Sequence, residues 1–544
     1  MSHDMKKDIA EEPLAHRPYT TSFYAVLLLL VAPLWAAVPL AWLFVIYTLR
    51  TGKLYTVSWT YTALFVLALC EVFFSVYHYH LARRVAGPTP VGSGSLRELQ
   101  IQFTRILKAG LASLPDDGFD EETTDAPRPG SPAEHIFQLD PHDPRAVDFR
   151  STLRNWFGGA PWSAIDVHHV RQWLYWSMFN ANMPPLDTLS PAHRGALDET
   201  LDLLQKRAGV VLPERVADPS PAVKPILLTV DKVNICWRPF MFYAALWVVN
   251  RTLRYHLTRK HNATYTSHDG LEYIIRIPSA WNPETGPRPL VFLHGLGLGL
   301  LQYSMQLNYL LGHFTDRPLL FLIQPSISQD IFHPRFLTPL SRRETSSRLA
   351  RLLESLGWAD SDVECKGTAE ASEISRALMD DERQRRAGVT MMSHSNGSYT
   401  HAWILKDHPS IVTRSCFVDP VTFCSWEGDV CYNFLYRQPK NGLELLMYYF
   451  VGSELGVANL LQRHFDWSSN SLFYEEIPHA RDPARTLYVL GGKDSIVNAA
   501  RVKKYLTSHG IRKGLIFDPA GMHGQAMIIG GPSHTKMMQW IRAR

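Results

Sequence analysis

The sequence is short of cysteine: six in 544 residues, at positions 70, 236, 365, 416, 424 and 431, with none at metal-ligand spacing. Six in so long a chain make neither a disulfide framework nor a zinc module, and they fit a reducing compartment. Charge is scarce too, at 19% of residues and a net +4. That balance excludes a highly charged nucleic-acid binder, and an apolar content of 46% excludes bulk disorder. A P-loop is missing, because the Gly-rich stretch Gly295 to Gly299 is followed by no Lys-Ser or Lys-Thr and by no acidic dinucleotide partner. No cofactor and no metal are expected. A mean hydropathy of −0.12 excludes a polytopic transporter. At roughly 150 residues per domain the length implies three to four units.

What is present is concentrated at one end. After a tail of residues 1–21, Ser22 to Leu49 carries no charge, and Phe23 to Tyr47 is nearly all Leu, Val, Ala, Trp and Phe. That run is long enough for a bilayer core of about 30 Å. Pro33 and Pro39 would kink it, as membrane helices tolerate. It is too long for a signal peptide, and no small-residue cleavage site follows it. The turn Arg50-Thr51-Gly52-Lys53 leads to a second run, Leu54 to Leu81, interrupted only by Glu71, which is costly at mid-bilayer, and closed by Arg83 and Arg84. Residues 22–84 therefore read as a transmembrane hairpin of two helices, in contact with membrane lipids. Lys6, Lys7, Arg17, Arg83 and Arg84 outside the pair outnumber Arg50 and Lys53 between, so both flanks are expected on the cytoplasmic side. The endoplasmic reticulum and a lipid droplet are both compatible membranes. Two sequons, Asn250-Arg251-Thr252 and Asn262-Ala263-Thr264, argue the other way.

Gly87 to Gly94 is a linker by composition. A helix from Leu96 to about Leu114 follows, then an acidic Pro- and Gly-rich loop at 116–132. Next come a stretch holding Trp156, Trp162, Trp173 and Trp176, and a helix Pro191 to Ala208 with Ser190 as its N-cap. Residues 95–260 are expected to form a helical region with those aromatics in its core. Trp237 to Val249 is too short to span a membrane; with Arg251, Arg254, Arg259 and Lys260 behind it, it reads as an interfacial helix or a buried one.

From about residue 265 short apolar runs alternate with helical stretches. The candidate strands are Tyr273 to Ile277, Leu290 to Leu293, Leu319 to Ile323, Val389 to Met392, Cys416 to Val418, Leu487 to Leu490 and Leu515 to Phe517. Continuous apolar runs bounded by Gly, Pro, Asp and Ser mark strands buried on both faces. With helices between them, such as Ser346 to Leu356 and Ala499 to Ser508, they predict an α/β fold with a doubly wound, mostly parallel sheet.

Directly after the Met392 strand and before an apolar helix stands Ser393-His394-Ser395-Asn396-Gly397. A nucleophile in so tight a strand-to-helix turn needs a strained backbone and small neighbours two residues away. Gly397 supplies one, and Ser393 stands where glycine is usual. The pentapeptide resembles the nucleophile elbow of the α/β-hydrolase family, with Ser395 on its serine. The resemblance covers roughly 265–544 and implies the rest of the site. His294-Gly295-Leu296-Gly297 looks like the family's oxyanion loop, with the N–H groups of Leu296 and Asn396 facing the developing oxyanion. Asp494 and His523, each just beyond a strand, follow Ser395 in the family's order. His523 would take the Ser395 proton and Asp494 would orient the imidazole. Asp419, at another strand end, is a rival acid. His394 and His401 are expected to be structural, and Asp518 to position the His523 loop. Residues 423–485, rich in Tyr, Phe, Leu and Met, fall where the family inserts a helical cap. Together these imply a membrane-anchored serine esterase or lipase acting on a hydrophobic ester. Acyl transfer, thioester cleavage and a non-catalytic ligand receptor remain open at this stage, and nothing in the sequence bears on oligomeric state.

Overall fold

The computed structural model describes residues 9–12, 17–53, 58–92, 94–111, 135–214, 223–359 and 388–543. The expected acidic loop at 116–132, Lys6, Lys7, Cys365 and the start of the second apolar run at 54–57 lie outside them.

Eight strands form one sheet: β1 Thr264–His268, β2 Leu271–Arg276, β3 Leu290–Leu293, β4 Leu319–Ile323, β5 Val389–His394, β6 Val412–Val418, β7 Thr486–Gly491 and β8 Leu515–Asp518. Their order is β1-β2-β4-β3-β5-β6-β7-β8. β2 runs antiparallel to β1 and β4, and every other pairing is parallel. The sequence pattern finds seven of the eight strands and misses β1. Thr-Tyr-Thr-Ser-His is a half-exposed edge strand with no apolar run. Its hairpin signal is Asp269-Gly270, both residues left-handed (φ 51° and 79°), as a two-residue primed turn requires.

Each face of the sheet is covered. Leu290, Phe292 and Met392 pack on the helices Leu300–His313 and Pro532–Arg542. Val291, Leu293 and Met391 point the other way, into a core shared with Arg342–Ser355, Gly397–Asp407 and Ala499–Ser508. That second core does not stop at the half that carries the sheet. It runs on through Trp156, Trp162, Trp173 and Trp176 and through Leu197 and Leu201 of the helix Pro191–Ala208. Two indole N–H groups stitch the halves together, Trp156 to the carbonyl of Trp426 (2.8 Å) and Trp467 to that of Ser177 (2.6 Å). Among the described residues from 95 to 214 the regular elements are helices, and their core is continuous with that of the sheet.

Two helices, Thr21–Thr51 and Trp59–Val85, are long and apolar enough to cross a membrane. They pack on each other through Val45, Phe65 and Val72. A π-turn at Leu27–Val31 just precedes Pro33 and accommodates its missing N–H. Large side chains such as Leu28, Leu29, Leu40 and Leu43 face outward. The first helix docks on the cap helix Gly442–Gly452, where Gly442 lets the backbone of Ser22 approach and Arg17 pairs with Glu444 (2.6 Å). Trp237 precedes a longer helix than the sequence suggests, Phe240–His261, which is buried on one side at Tyr243 and Leu246 and exposed on the other at Met241, Trp247 and Val248.

Glu71, the charge that interrupts the second apolar run, is turned into the protein. Its carboxylate accepts the N–H of Phe240 (2.7 and 2.9 Å), at the positive end of the helix Phe240–His261. An otherwise expensive acid thus satisfies an orphan helix-terminal donor. Replacing it with Ala strands that N–H, and the expected outcome is a loss of about 1–3 kcal/mol in unfolding of the detergent-solubilised protein. A Glu71→Ala protein that melts with the wild type would show that the contact carries no weight.

Candidate active site

Ser395 sits at the end of β5 with φ 51°, a left-handed conformation uncommon outside glycine. Its N–H donates to the carbonyl of Val418 on β6 (3.0 Å), and its own carbonyl accepts the N–H and the hydroxyl of Ser398 (2.9 and 2.7 Å). Gly397 is obligatory here: a side chain would overlap the carbonyl oxygens of Leu293 and His294. A Cβ on Gly295 would come within 2.9 Å of the Ser395 Cβ. Ser393, at the usual glycine position, is buried in the sheet and tolerated because its hydroxyl has a partner, His401 Nδ1 at 3.0 Å. The other nitrogen of His401 meets Ser415 (3.1 Å), and burial pulls the ring down to about 3, so it is neutral and structural.

The structure brings the three residues of the sequence reading into one line. The Ser395 hydroxyl donates to His523 Nε2 at 2.9 Å, and His523 Nδ1 donates to Asp494 Oδ2 at 2.6 Å. The other Asp494 oxygen accepts the N–H groups of Ile496 and Val497 (2.8 and 3.0 Å), which fixes the carboxylate's direction. Burial alone would lower His523. The Asp494 carboxylate, through its charge and its hydrogen bond, and Asp419 behind it, override burial and hold the imidazole above its ordinary value.

Asp419 does not contact the imidazole directly. Its two oxygens accept the N–H of Gly491 at the end of β7 (2.9 Å) and the N–H of Gly524, the residue after His523 (2.7 Å). It therefore positions the loop that carries the histidine. Burial, with Asp494 adding to it against His523 and the two amides, pushes Asp419 up to about 6. Ligating atoms of Asp419, Asp494 and His523 lie within 4.8 Å of one another, the spacing a metal site would also show. Hydrogen bonds already account for each of them. Asp518 closes the turn before His523, accepting the N–H of Ala520 (3.0 Å) on its side chain and those of Gly492 and Gly521 on its carbonyl.

The fold is that of an α/β hydrolase: a serine in the β5-to-helix turn, an acid after β7 and a histidine after β8, on a parallel sheet with an antiparallel second strand. No family model matches the chain, and no curated protein matches it. Among solved structures it is similar to a membrane phospholipase A described as a bacterial virulence factor, with 13% identity and TM-score 0.34, over 56% of this chain and 94% of that one. It is also similar to naproxen esterase from Bacillus subtilis (12%, TM-score 0.33, 56% and 98%) and to carboxylesterase CesB from the same species (10%, TM-score 0.31, 55% and 99%).

The site also holds groups that the sequence does not connect. Gln324 N–H donates to His294 Nε2 (3.1 Å), so His294 Nδ1 donates to the carbonyl of Gly295 (2.8 Å) and stiffens the candidate oxyanion loop. Tyr303 Oη accepts the Gly295 N–H (2.8 Å) and donates to His394 Nδ1 (2.7 Å). His394, buried and beside His523, is held well below the usual imidazole range, first by burial and then by its histidine neighbours. Asn250, in the first sequon, has its carboxamide committed at both ends, to the carbonyl of Leu298 and the N–H of Leu301 (3.0 Å each). The N–H groups of Leu296 and Asn396 have no acceptor among the described residues. Both residues line an apolar cavity beside Ser395 and His523, walled by Phe434, Leu435, Met447, Val451 and Phe465 of the cap.

If His523 must be neutral to accept the Ser395 proton, activity falls as pH falls through the raised imidazole value. The acid limb of kcat/KM is then expected above the ordinary histidine value of about 6.5. Asp494→Asn should move that limb downward and lower kcat by a factor on the order of 10⁴, as loss of the acid does in serine triads. Asp419→Asn should cost only about tenfold, through the lost loop contact. A larger loss for Asp419→Asn than for Asp494→Asn would reverse the assignment of the acids.

Proposed function

We propose that the chain is a membrane-anchored serine hydrolase of the esterase or lipase type, cleaving acyl esters of a hydrophobic, lipid-like substrate. The observation that carries this reading is the hydrogen-bonded line Asp494–His523–Ser395, with 2.6 and 2.9 Å links, opening on an apolar wall.

In this reading Ser395 Oγ attacks the acyl carbonyl while its proton passes to His523 Nε2. Asp494 stabilises the imidazolium, and the N–H groups of Leu296 and Asn396 hold the oxyanion. Collapse breaks the ester C–O bond, with the His523 proton leaving on the alcohol. Water, deprotonated by His523, then attacks the acyl-enzyme, releasing the carboxylic acid and restoring Ser395. Asp419 and the His294–Gly295–Tyr303 contacts act as positioning groups.

Support for a lipid-like substrate comes from the cap at 423–485 and from its contact with the first apolar helix. The cavity at Ser395 has a free volume of about 60 Å³, far below the 300–1,000 Å³ of typical ligand pockets. An acyl chain therefore enters only when the cap helix Gly442–Gly452 moves away from the sheet, and that helix rests on Val31 and its neighbours. The 31- and 27-residue apolar helices serve as the anchor, with the hydrolase half facing the cytoplasm as the flanking charges favour. The engaged side chain of Asn250 removes one of the two sequons as a counter-argument.

Fluorophosphonate labelling of alkali-washed membranes tests both parts. The expected result is a labelled wild-type band in the pellet and no label on Ser395→Ala. Label that survives the substitution sinks the assignment of the nucleophile, and label released by the wash sinks the anchor.

A further inference from the structure

The cavity at Ser395 is not the roomiest space beside the cap. A second cavity, of about 490 Å³, lies between the helical region and the hydrolase half and shares no lining residue with the first. Its volume lies within the range of small-molecule sites. The apolar lining is aromatic, with Phe103, Trp156, Trp173, Trp176, Trp467 and Phe473. Its charged lining holds six Lys and Arg against four Asp and Glu, with Arg105 paired outside the lining to Glu476 (3.0 Å).

Most of those acids are already spent. Asp143 pairs with Arg145 (2.7 Å), and Asp148 and Glu427 both pair with Arg501 (2.7 and 2.5 Å). Arg207, 2% exposed, pairs with no carboxylate among the described residues. It donates only to the carbonyls of Leu107, Ala109 and Arg145, one bond from each nitrogen, which leaves two of the five guanidinium N–H groups unused. Trp173 is 6% exposed, and its indole N–H has no acceptor among the described residues. A buried donor left unpaired costs about 1–3 kcal/mol, which an acceptor on a bound molecule would recover.

We propose that this cavity binds a single-chain amphiphile with an anionic head, a long-chain carboxylate, whose chain lies on the tryptophans while its carboxylate meets the Arg207 and Trp173 donors. The proposal does not rest on the hydrolytic reading of Ser395. It does place the ligand next to that site. Trp426 and Glu427 wall this cavity and Val430 and Cys431 the other; Trp467 lines this one and Phe465 the other. One strip of the cap is the partition between them.

The test uses the full chain carrying Ser395→Ala, so that no turnover intrudes, photolysed in detergent with a diazirine analogue of palmitic acid and mapped by peptide sequencing. Label is expected on the helices Leu96–Lys108 and Val167–Phe179. Palmitic acid should compete at least about tenfold better than hexadecylamine, because the amine meets like charge. Thr152→Trp, which adds bulk to the cavity wall, should remove the label. Label confined to the cap residues around Ser395, label retained by Thr152→Trp, or equal competition by the amine would each overturn the proposal. Should Thr152→Trp melt early, the competition series on the unaltered cavity decides alone.

Discussion

Everything about the site follows from one strained residue. Ser395 holds a left-handed backbone at a cost of about 1–2 kcal/mol, and the surrounding chain is built so that no other conformation fits. The carbonyl of Val418 takes its N–H, Ser398 takes its carbonyl, and the absence of side chains at Gly295 and Gly397 lets three chain segments close on it. A helix begins immediately afterwards, so the hydroxyl stands clear of the sheet at the helix's positive end. The six parallel strands β3 to β8 keep this turn from relaxing.

The second constraint is how two carboxylates share a crowded place. Asp419 and Asp494 stand at the ends of adjacent strands, close enough to repel. Hydrogen bonds separate their tasks. Asp494 gives one oxygen to two loop amides and the other to the imidazole, whereas Asp419 spends both oxygens on backbone N–H groups of β7 and the histidine loop. One acid therefore faces the histidine's ring and the other its backbone, and the raised value of Asp419 reflects where the burial cost falls.

The elements legible in the sequence are those that local rules determine. Strands buried on both faces must be continuously apolar, so β3 to β7 stand out, the partly buried β2 and β8 keep a short apolar run, and a serine between a strand and a helix with glycine two places on is a local pattern. The edge strand β1 is polar because half of it meets solvent, and it escapes the same reading. The contacts that span long separations were illegible. Tyr303 reaches His394 across 91 residues, Asn250 ties a helix to the loop after Gly297, and Glu71 caps a helix 169 residues away. No periodicity encodes such pairs. Nor could composition reveal that the helical region and the sheet share one core, since a tryptophan buried at an interface looks like a tryptophan buried within a domain.

That shared core sets the limits of the sheet-bearing half as a unit of inheritance. The segment with the hydrolase topology begins near residue 264, but on its cap the carbonyl of Trp426 is held by Trp156, and Trp467 finds its hydrogen-bond and ring partners in Ser177 and Phe103. Cut free, this half would expose a wide aromatic face and an unpaired indole N–H at once. A recombination event that carried the sheet without the preceding helices would deliver an aggregating fragment. The two halves are therefore bound to travel, and to diverge, together.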